Sequence, residues 1–133
     1  MIVVDASVLV EAFTNDGYMG QAAREELLDD PRWCAPAHVR VETLHAIRGR
    51  LLGGKLPETR AHEAAAAVGE AGLDLWESSA LLSRMWELRD RFSCYDAAYV
   101  ALAEDLEIPL VTCDGRLARA AENLVQVRLL HGD

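Results

Sequence analysis

The chain has 133 residues, of which 51% are hydrophobic, so residues 1–133 are expected to form a single domain with its own core. No apolar run approaches the roughly 18 residues of a membrane span, and the start Ile2-Val3-Val4-Asp5 has no signal-peptide pattern, so a cytoplasmic location is expected. The net charge of −9 argues against strong non-specific binding to nucleic acid.

In chain order, the first half alternates between short apolar runs and amphipathic segments. Ile2-Val3-Val4 is a β-branched run that predicts a buried parallel strand. Ser7 is expected to cap the short helix that follows. The third helix is predicted to bury Val41, Leu44 and Ile47. The predicted elements are strand 2–4, helix 8–13, helix 18–28, strand 33–35 and helix 38–52.

The second half continues the same alternation. Pro57 favours the first position of a helix. Ser93, with Asp96 three residues later, is typical of a helix start in the manner of a capping box, and Pro109 marks the end of that helix. The alternation predicts an α/β domain with a parallel sheet and helices on both faces. The predicted elements are helix 57–69, strand 73–75, a helix from 78 or 79 to 88, helix 93–108, strand 110–112, helix 115–122 and strand 125–129.

Carboxylates stand at the ends of elements that should meet at one edge of the sheet. Asp5 and Asp114 follow strands, and Asp96 begins a helix expected to face the same edge, where open α/β sheets bind ligands. Taken singly, each of these three is also explained as a helix cap. Glu42 lies beside the predicted apolar stripe of its helix, and a solvated flank position is the alternative for it.

If the four acids converge, their like charges raise their pKa values unless a cation neutralises them. All-oxygen ligation suits Mg²⁺ or Mn²⁺. Such ions bind phosphate oxygens and lower the pKa of a water molecule, which favours phosphodiester hydrolysis. Ser7 and Thr112 each stand two residues from an acid, where they can orient the acid or the water.

Four blocks of the sequence together resemble the PIN-domain family, and in particular the VapC-type toxins of toxin–antitoxin pairs. The resemblance covers nearly the whole chain. Its most specific part is the block from Tyr95 to Ala103 together with Thr112-x-Asp114, whereas Asp5-x-Ser7 alone is weak. The blocks are Val3-Val4-Asp5-Ala6-Ser7, Glu42, Tyr95-Asp96-Ala97-Ala98-Tyr99-Val100-Ala101-Leu102-Ala103 and Leu110-Val111-Thr112-Cys113-Asp114.

The resemblance implies a metal-dependent endoribonuclease that holds Mg²⁺ or Mn²⁺ through Asp5, Glu42, Asp96 and Asp114. It also implies a sheet of about five parallel strands, a homodimer, and a cognate antitoxin whose C-terminal segment lies over the active site. The alternative is a binding module with a weak metal site, which grips RNA or an antitoxin-like partner without cleaving. The presence of all four acids favours the enzyme.

The charge is unevenly distributed, since residues 32–60 carry a net +4 and the remainder −13. Under the resemblance, this basic segment gains a role in holding RNA phosphates or an acidic antitoxin tail. A solvated helix face is the alternative. The basic candidates are Arg40, Arg48, Arg50, Lys55 and, after the fourth acid, Arg116.

Two other patterns are given less weight. His38, Glu42 and His45 share one helical face, a spacing that can suggest zinc, but they lack the H-E-x-x-H order. The three cysteines have no C-x-x-C spacing, so buried free thiols are expected rather than disulfides.

Overall fold

The computed structural model describes residues 1–131, which form a five-stranded parallel sheet in the order β3-β2-β1-β4-β5. This confirms the predicted fold class and the predicted order of elements. The strands are β1 (Ile2–Val4), β2 (Trp33–Pro36), β3 (Leu73–Trp76), β4 (Leu110–Thr112) and β5 (Val127–Leu129). The helices are α1 (Ala6–Thr14), α2 (Tyr18–Asp29), α3 (Val39–Leu52), α4 (Glu58–Glu70), α5 (Leu82–Glu87), α6 (Cys94–Leu106) and α7 (Gly115–Ala121), with a 3₁₀ turn at Ser79–Leu81.

The strand order reverses at β1. The chain proceeds outward from β1 to β2 and β3, and then returns to place β4 on the other side of β1. Because parallel crossovers are right-handed, this reversal puts α1 to α4 on one face and α5 to α7 on the other. The crevice between the carboxyl ends of β1 and β4 is therefore the switch point at which such sheets bind ligands.

The main core lies around β1 and α6. Residues 2–4 of β1 and residues 97–103 of α6 are almost completely buried, and four of those seven α6 residues are alanines. Small side chains let the helix pack closely against β1, β2 and β4, which it contacts. A smaller cluster around Ile47 and Val68 joins α3 to α4, and Phe13 packs against both clusters.

The buried side of α3 differs from the prediction. Val41 and Leu44 are 71% and 48% exposed, whereas Val39, Thr43 and Ile47 are buried. Thr43 fits this buried position because its hydroxyl donates a hydrogen bond to the Val39 carbonyl at 2.7 Å. The periodicity of apolar side chains alone does not include a buried threonine, so the predicted face differs from the observed one by about one residue.

Several local expectations are also wrong. Ser7 does not cap α1, because Asp5 occupies the N-cap position. Pro57 precedes its helix as the N-cap residue, since α4 starts at Glu58. Cys94 is exposed rather than buried.

No helix among residues 1–131 is both long enough and apolar enough to cross a lipid bilayer.

Candidate active site

A cavity of about 290 Å³ opens at the switch point and is lined by all four predicted acids. Asp5 follows β1, Asp114 follows β4, Asp96 lies in the first turn of α6, and Glu42 lies in the first turn of α3. Ser7, Glu11, Arg50 and the small or apolar residues Ala6, Val10 and Ala46 complete the lining.

Asp5 is the buried acid of the cavity, with 5% of its surface exposed. The Ser7 and Thr112 hydroxyls both donate to Asp5 Oδ2, at 2.7 and 2.8 Å. Each hydroxyl is itself fixed, because the Cys113 amide donates to Ser7 Oγ and the Asp114 amide donates to Thr112 Oγ1. Burial and the neighbouring carboxylates raise the pKa of Asp5, and the two hydroxyls oppose that shift. Asp5 Oδ1 is the oxygen left for a ligand.

Glu42 is held from the opposite side of the cavity. The Tyr99 hydroxyl donates to Glu42 Oε1 at 2.6 Å, and His38 Nε2 lies 3.8 Å from the same oxygen. About a third of the Glu42 side chain is exposed. Here too one carboxylate oxygen bonds to protein, so Oε2 is left for a ligand.

Asp114 combines the two roles that the sequence left open. Its Oδ1 accepts hydrogen bonds from the Arg116 and Leu117 amides, at 2.9 and 3.3 Å, and thereby caps α7. The residue also lines the cavity, so capping and ligand binding are compatible. It is the exposed member of the four acids.

Asp96 is half-buried, and the expected cap at this helix start is present. Its amide donates to Ser93 Oγ at 3.1 Å. Burial, followed by repulsion from Asp5, Glu42 and Asp114, raises the pKa of Asp96 to about 6. The mutual repulsion means that this cavity favours a cation.

The donor set fits Mg²⁺ or Mn²⁺, because carboxylate and hydroxyl oxygens surround the cavity. Within residues 1–131 no three His, Cys, Asp or Glu side chains are close enough to form a ready-made metal cluster. An open acidic cavity suits an ion such as Mg²⁺, which usually keeps several of its own waters. The zinc alternative through His38, Glu42 and His45 gains no support.

Two residues near the acids are not among the site residues predicted from the sequence. Glu11, whose side chain is 14% exposed, accepts hydrogen bonds from Arg50 and from the Asn15 amide group. Its spacing from Ser7 on α1 is i, i+4, a signal that could have revealed it. Tyr99 lies three residues after Asp96, so it shares a helix face with an acid, which is the corresponding signal on α6.

The basic candidates fall into two groups. Arg50 lines the acidic cavity and, with Lys55, an adjoining cavity of about 380 Å³. Arg116 lines another neighbouring cavity, of about 470 Å³, together with Asp96 and Asp114. The remaining two lie elsewhere. Arg40 donates to the Val68 and Ala71 carbonyls at the end of α4, and Arg48 lines an apolar groove between α3 and α4.

The fold and the cavity define an α/β protein with an acidic centre at the switch point of a parallel sheet. Residues 2–123 match the family model of the PIN domain. The ribonuclease VapC12 of Mycobacterium tuberculosis is 35% identical over 133 residues, which cover 98% of this chain and 99% of that protein. The ribonuclease VapC9 of the same organism is 36% identical over 126 residues, or 89% of each chain.

Solved structures agree in fold. The crystal structure of Mycobacterium tuberculosis VapC20, described as a sarcin–ricin loop cleaving toxin, aligns with a TM-score of 0.70 at 22% identity, over 90% of this chain and 95% of that one. The chain therefore belongs to the PIN domain family, among the relatives of the VapC ribonucleases.

Proposed function

We propose that this chain is a metal-dependent endoribonuclease, the toxin of a toxin–antitoxin pair, with the acidic cavity as its catalytic centre. One observation carries the assignment: carboxylates from four separate elements line a single cavity at the switch point. The full-length likeness to a protein named as the ribonuclease VapC12 supports RNA as the substrate.

We assign Mg²⁺ or Mn²⁺ as the cofactor, held by Asp5, Glu42, Asp96 and Asp114. Such an ion, when bound, neutralises phosphate charge and supplies a more acidic water. Ser7 and Thr112 keep Asp5 in a single orientation, since both bond to its Oδ2. Their donated hydrogen bonds also favour the ionised carboxylate, the form that binds a cation.

The RNA strand is proposed to follow three cavities in series. The cavity with Lys55 adjoins the acidic cavity through Arg50, and the cavity with Arg116 adjoins it through Asp96 and Asp114. Basic side chains therefore flank the acidic centre on two sides, where they can bind the phosphates on either side of the cleaved bond. Arg50 also forms an ion pair with Glu11, and this pair holds the Arg50 guanidinium where the two cavities meet.

The antitoxin and the homodimer belong to the same proposal. A further solved structure similar in fold, that of FitAB bound to a DNA fragment, aligns with a TM-score of 0.68 at 16% identity, covering all of both chains. We propose that a second copy of this chain packs on the segment 75–95, which presents Leu75, Trp76, Leu82, Trp86 and Tyr95 to solvent. A cytoplasmic location is proposed because both RNA and a co-expressed partner are found there.

Asparagine variants of two acids test the assignment. Asp5→Asn and Asp96→Asn keep side-chain shape and remove the charges that hold a cation, so each should lower RNA cleavage by at least about a hundredfold. The rate is measured on fluorescent single-stranded RNA with Mg²⁺ or Mn²⁺, and fold is checked by circular dichroism.

Asp105→Asn is the matched control. It changes an exposed acid on the same helix as Asp96 and should cleave at the wild-type rate. Cleavage retained by both active-site variants would overturn the assignment. RNA binding without cleavage by the purified wild type would favour the gripping module instead.

A further inference from the structure

Tyr99 is a core residue whose hydroxyl reaches the wall of the acidic cavity. The side chain is completely buried, and the hydroxyl donates to Glu42 Oε1 at 2.6 Å. That distance is typical of a charge-assisted O–H···O⁻ hydrogen bond, which is stronger than a neutral one. A buried phenol on α6 therefore fixes an acid carried by α3.

Glu42 has a second polar neighbour that would compete for it. His38 Nε2 lies 3.8 Å from Glu42 Oε1, and this nitrogen is buried without a hydrogen-bond partner among residues 1–131. The His38 ring packs edge-on against Tyr95 and Tyr99, with ring centroids 5.6 and 5.4 Å away. Without the Tyr99 hydroxyl, Glu42 can turn toward the unpartnered nitrogen of His38, the N-cap residue of α3.

We propose that Tyr99 is a positioning residue of the acidic centre: its hydroxyl fixes Glu42 Oε1 and thereby keeps Oε2 available for the cation. The inference rests on the proposed function, because it concerns an ion assigned there. Asp5 provides a parallel within the same cavity, where two hydroxyls bond to one oxygen and leave the other. Outer partners of metal ligands commonly orient them in this way.

The test measures Mn²⁺ affinity by titration calorimetry in the absence of RNA. Tyr99→Phe keeps the ring that fills the core and removes only the hydroxyl, so Mn²⁺ affinity should fall by about tenfold. Thermal unfolding of the metal-free variant checks that the fold is kept. The double variant with Glu42→Gln should bind no more weakly than Glu42→Gln alone, because Tyr99 acts through Glu42.

Tyr95→Phe is the matched control, since Tyr95 lies on the same helix and touches the same His38 ring without bonding to Glu42. Its Mn²⁺ affinity should equal that of the wild type. If Tyr99→Phe binds like the wild type while Glu42→Gln binds weakly, the positioning role is overturned and the proposed function stands. Equal Mn²⁺ binding by Glu42→Gln and the wild type would instead overturn Glu42 as a ligand. Additive losses of Mn²⁺ affinity in the double variant would show that Tyr99 does not act through Glu42.

Discussion

At the scale of single residues, three of the four acids use one carboxylate oxygen for hydrogen bonds within the protein and leave the other for the cavity. Asp5, Glu42 and Asp114 each accept hydrogen bonds through one oxygen, from hydroxyls or helix amides. This arrangement limits side-chain rotation, so little entropy remains to be lost when a ligand binds. Asp96 differs, because the pKa of its half-buried carboxyl is raised by burial and by the other three acids.

The raised pKa of Asp96 predicts how stability depends on pH. Since the folded state binds this proton more tightly than the unfolded state, the contribution of Asp96 to the free energy of unfolding should fall as pH rises from 3.8 to about 6. Asp96→Asn should therefore stabilise the metal-free protein at pH 7, by about 1 kcal/mol after allowance for partial exposure. Urea unfolding at pH 5 and pH 7, in the presence of a chelator, measures both effects.

Added Mn²⁺ should reverse the order, so that the wild type becomes more stable than Asp96→Asn. Asp105→Asn removes an exposed charge and serves again as the comparison. An unfolding free energy of the wild type that rises between pH 4 and pH 6 relative to that of Asp96→Asn would contradict the burial and repulsion described for Asp96.

At the scale of elements, local patterns specify some site residues and leave others undetermined. Asp5, Asp96 and Asp114 were predictable because each stands where a strand ends or a helix begins. For Glu11 and Tyr99, spacing on their own helices indicates only that they lie near site residues, since their partners Arg50 and Glu42 lie 39 and 57 residues away in sequence. Such pairs depend on how helices pack against each other, which no single segment encodes.

The helix α3 illustrates the same limit for its two arginines outside the cavity. The charge of Arg40 alone makes it a basic candidate, yet it donates hydrogen bonds to two carbonyls where α4 ends. Orphan carbonyls at a helix end need such donors. Composition thus identifies a basic segment. Only the packing of α3 against α4 distinguishes an arginine with a structural role from the basic residues beside the cavity.

Alanine variants should separate these roles. Lys55→Ala and Arg116→Ala should each reduce the slope of log affinity against log salt for single-stranded RNA by about 0.7, because each removes one phosphate contact. Arg40→Ala should leave that slope unchanged and lower the free energy of unfolding by about 2 kcal/mol, since two partly buried carbonyls lose their donor. Fluorescence anisotropy at several salt concentrations and urea unfolding provide the two measurements.

Arg48→Ala is the control for both, because Arg48 is exposed and lies away from the acidic cavity. A change in salt slope for Arg48→Ala equal to that for Lys55→Ala would mean that charge alone, rather than position beside the cavity, governs RNA binding.

At the scale of the whole molecule, the strand order determines what the segment 75–95 can do. β3 is an edge strand, and the segment runs from its end through α5 to the start of α6. Trp86 is 63% exposed, so it is not part of the core. The Arg89 guanidinium lies 4.7 Å from the centre of its ring, so one side of the indole is already covered.

Trp86→Glu should convert a dimer into a monomer, because it places a charge where an apolar side chain would be buried between copies. Light scattering coupled to size-exclusion chromatography measures the mass. Leu28→Glu, at another highly exposed apolar position, should leave the mass unchanged. A wild type that is monomeric over the accessible concentration range, or a dimer lost in both variants, would contradict the proposed interface.

The insertion of β4 beside β1 also governs when, during synthesis, the cavity can exist. Asp5 and Glu42 emerge early from the ribosome, but β4 must occupy the free edge of β1 before Asp114 and Asp96 can join them. In a nascent chain that has not yet been synthesised as far as Asp114, two of the four acids are therefore missing from the cavity. Topology alone therefore keeps the growing polypeptide from forming a complete cavity until the chain has been synthesised past β4 and Asp114.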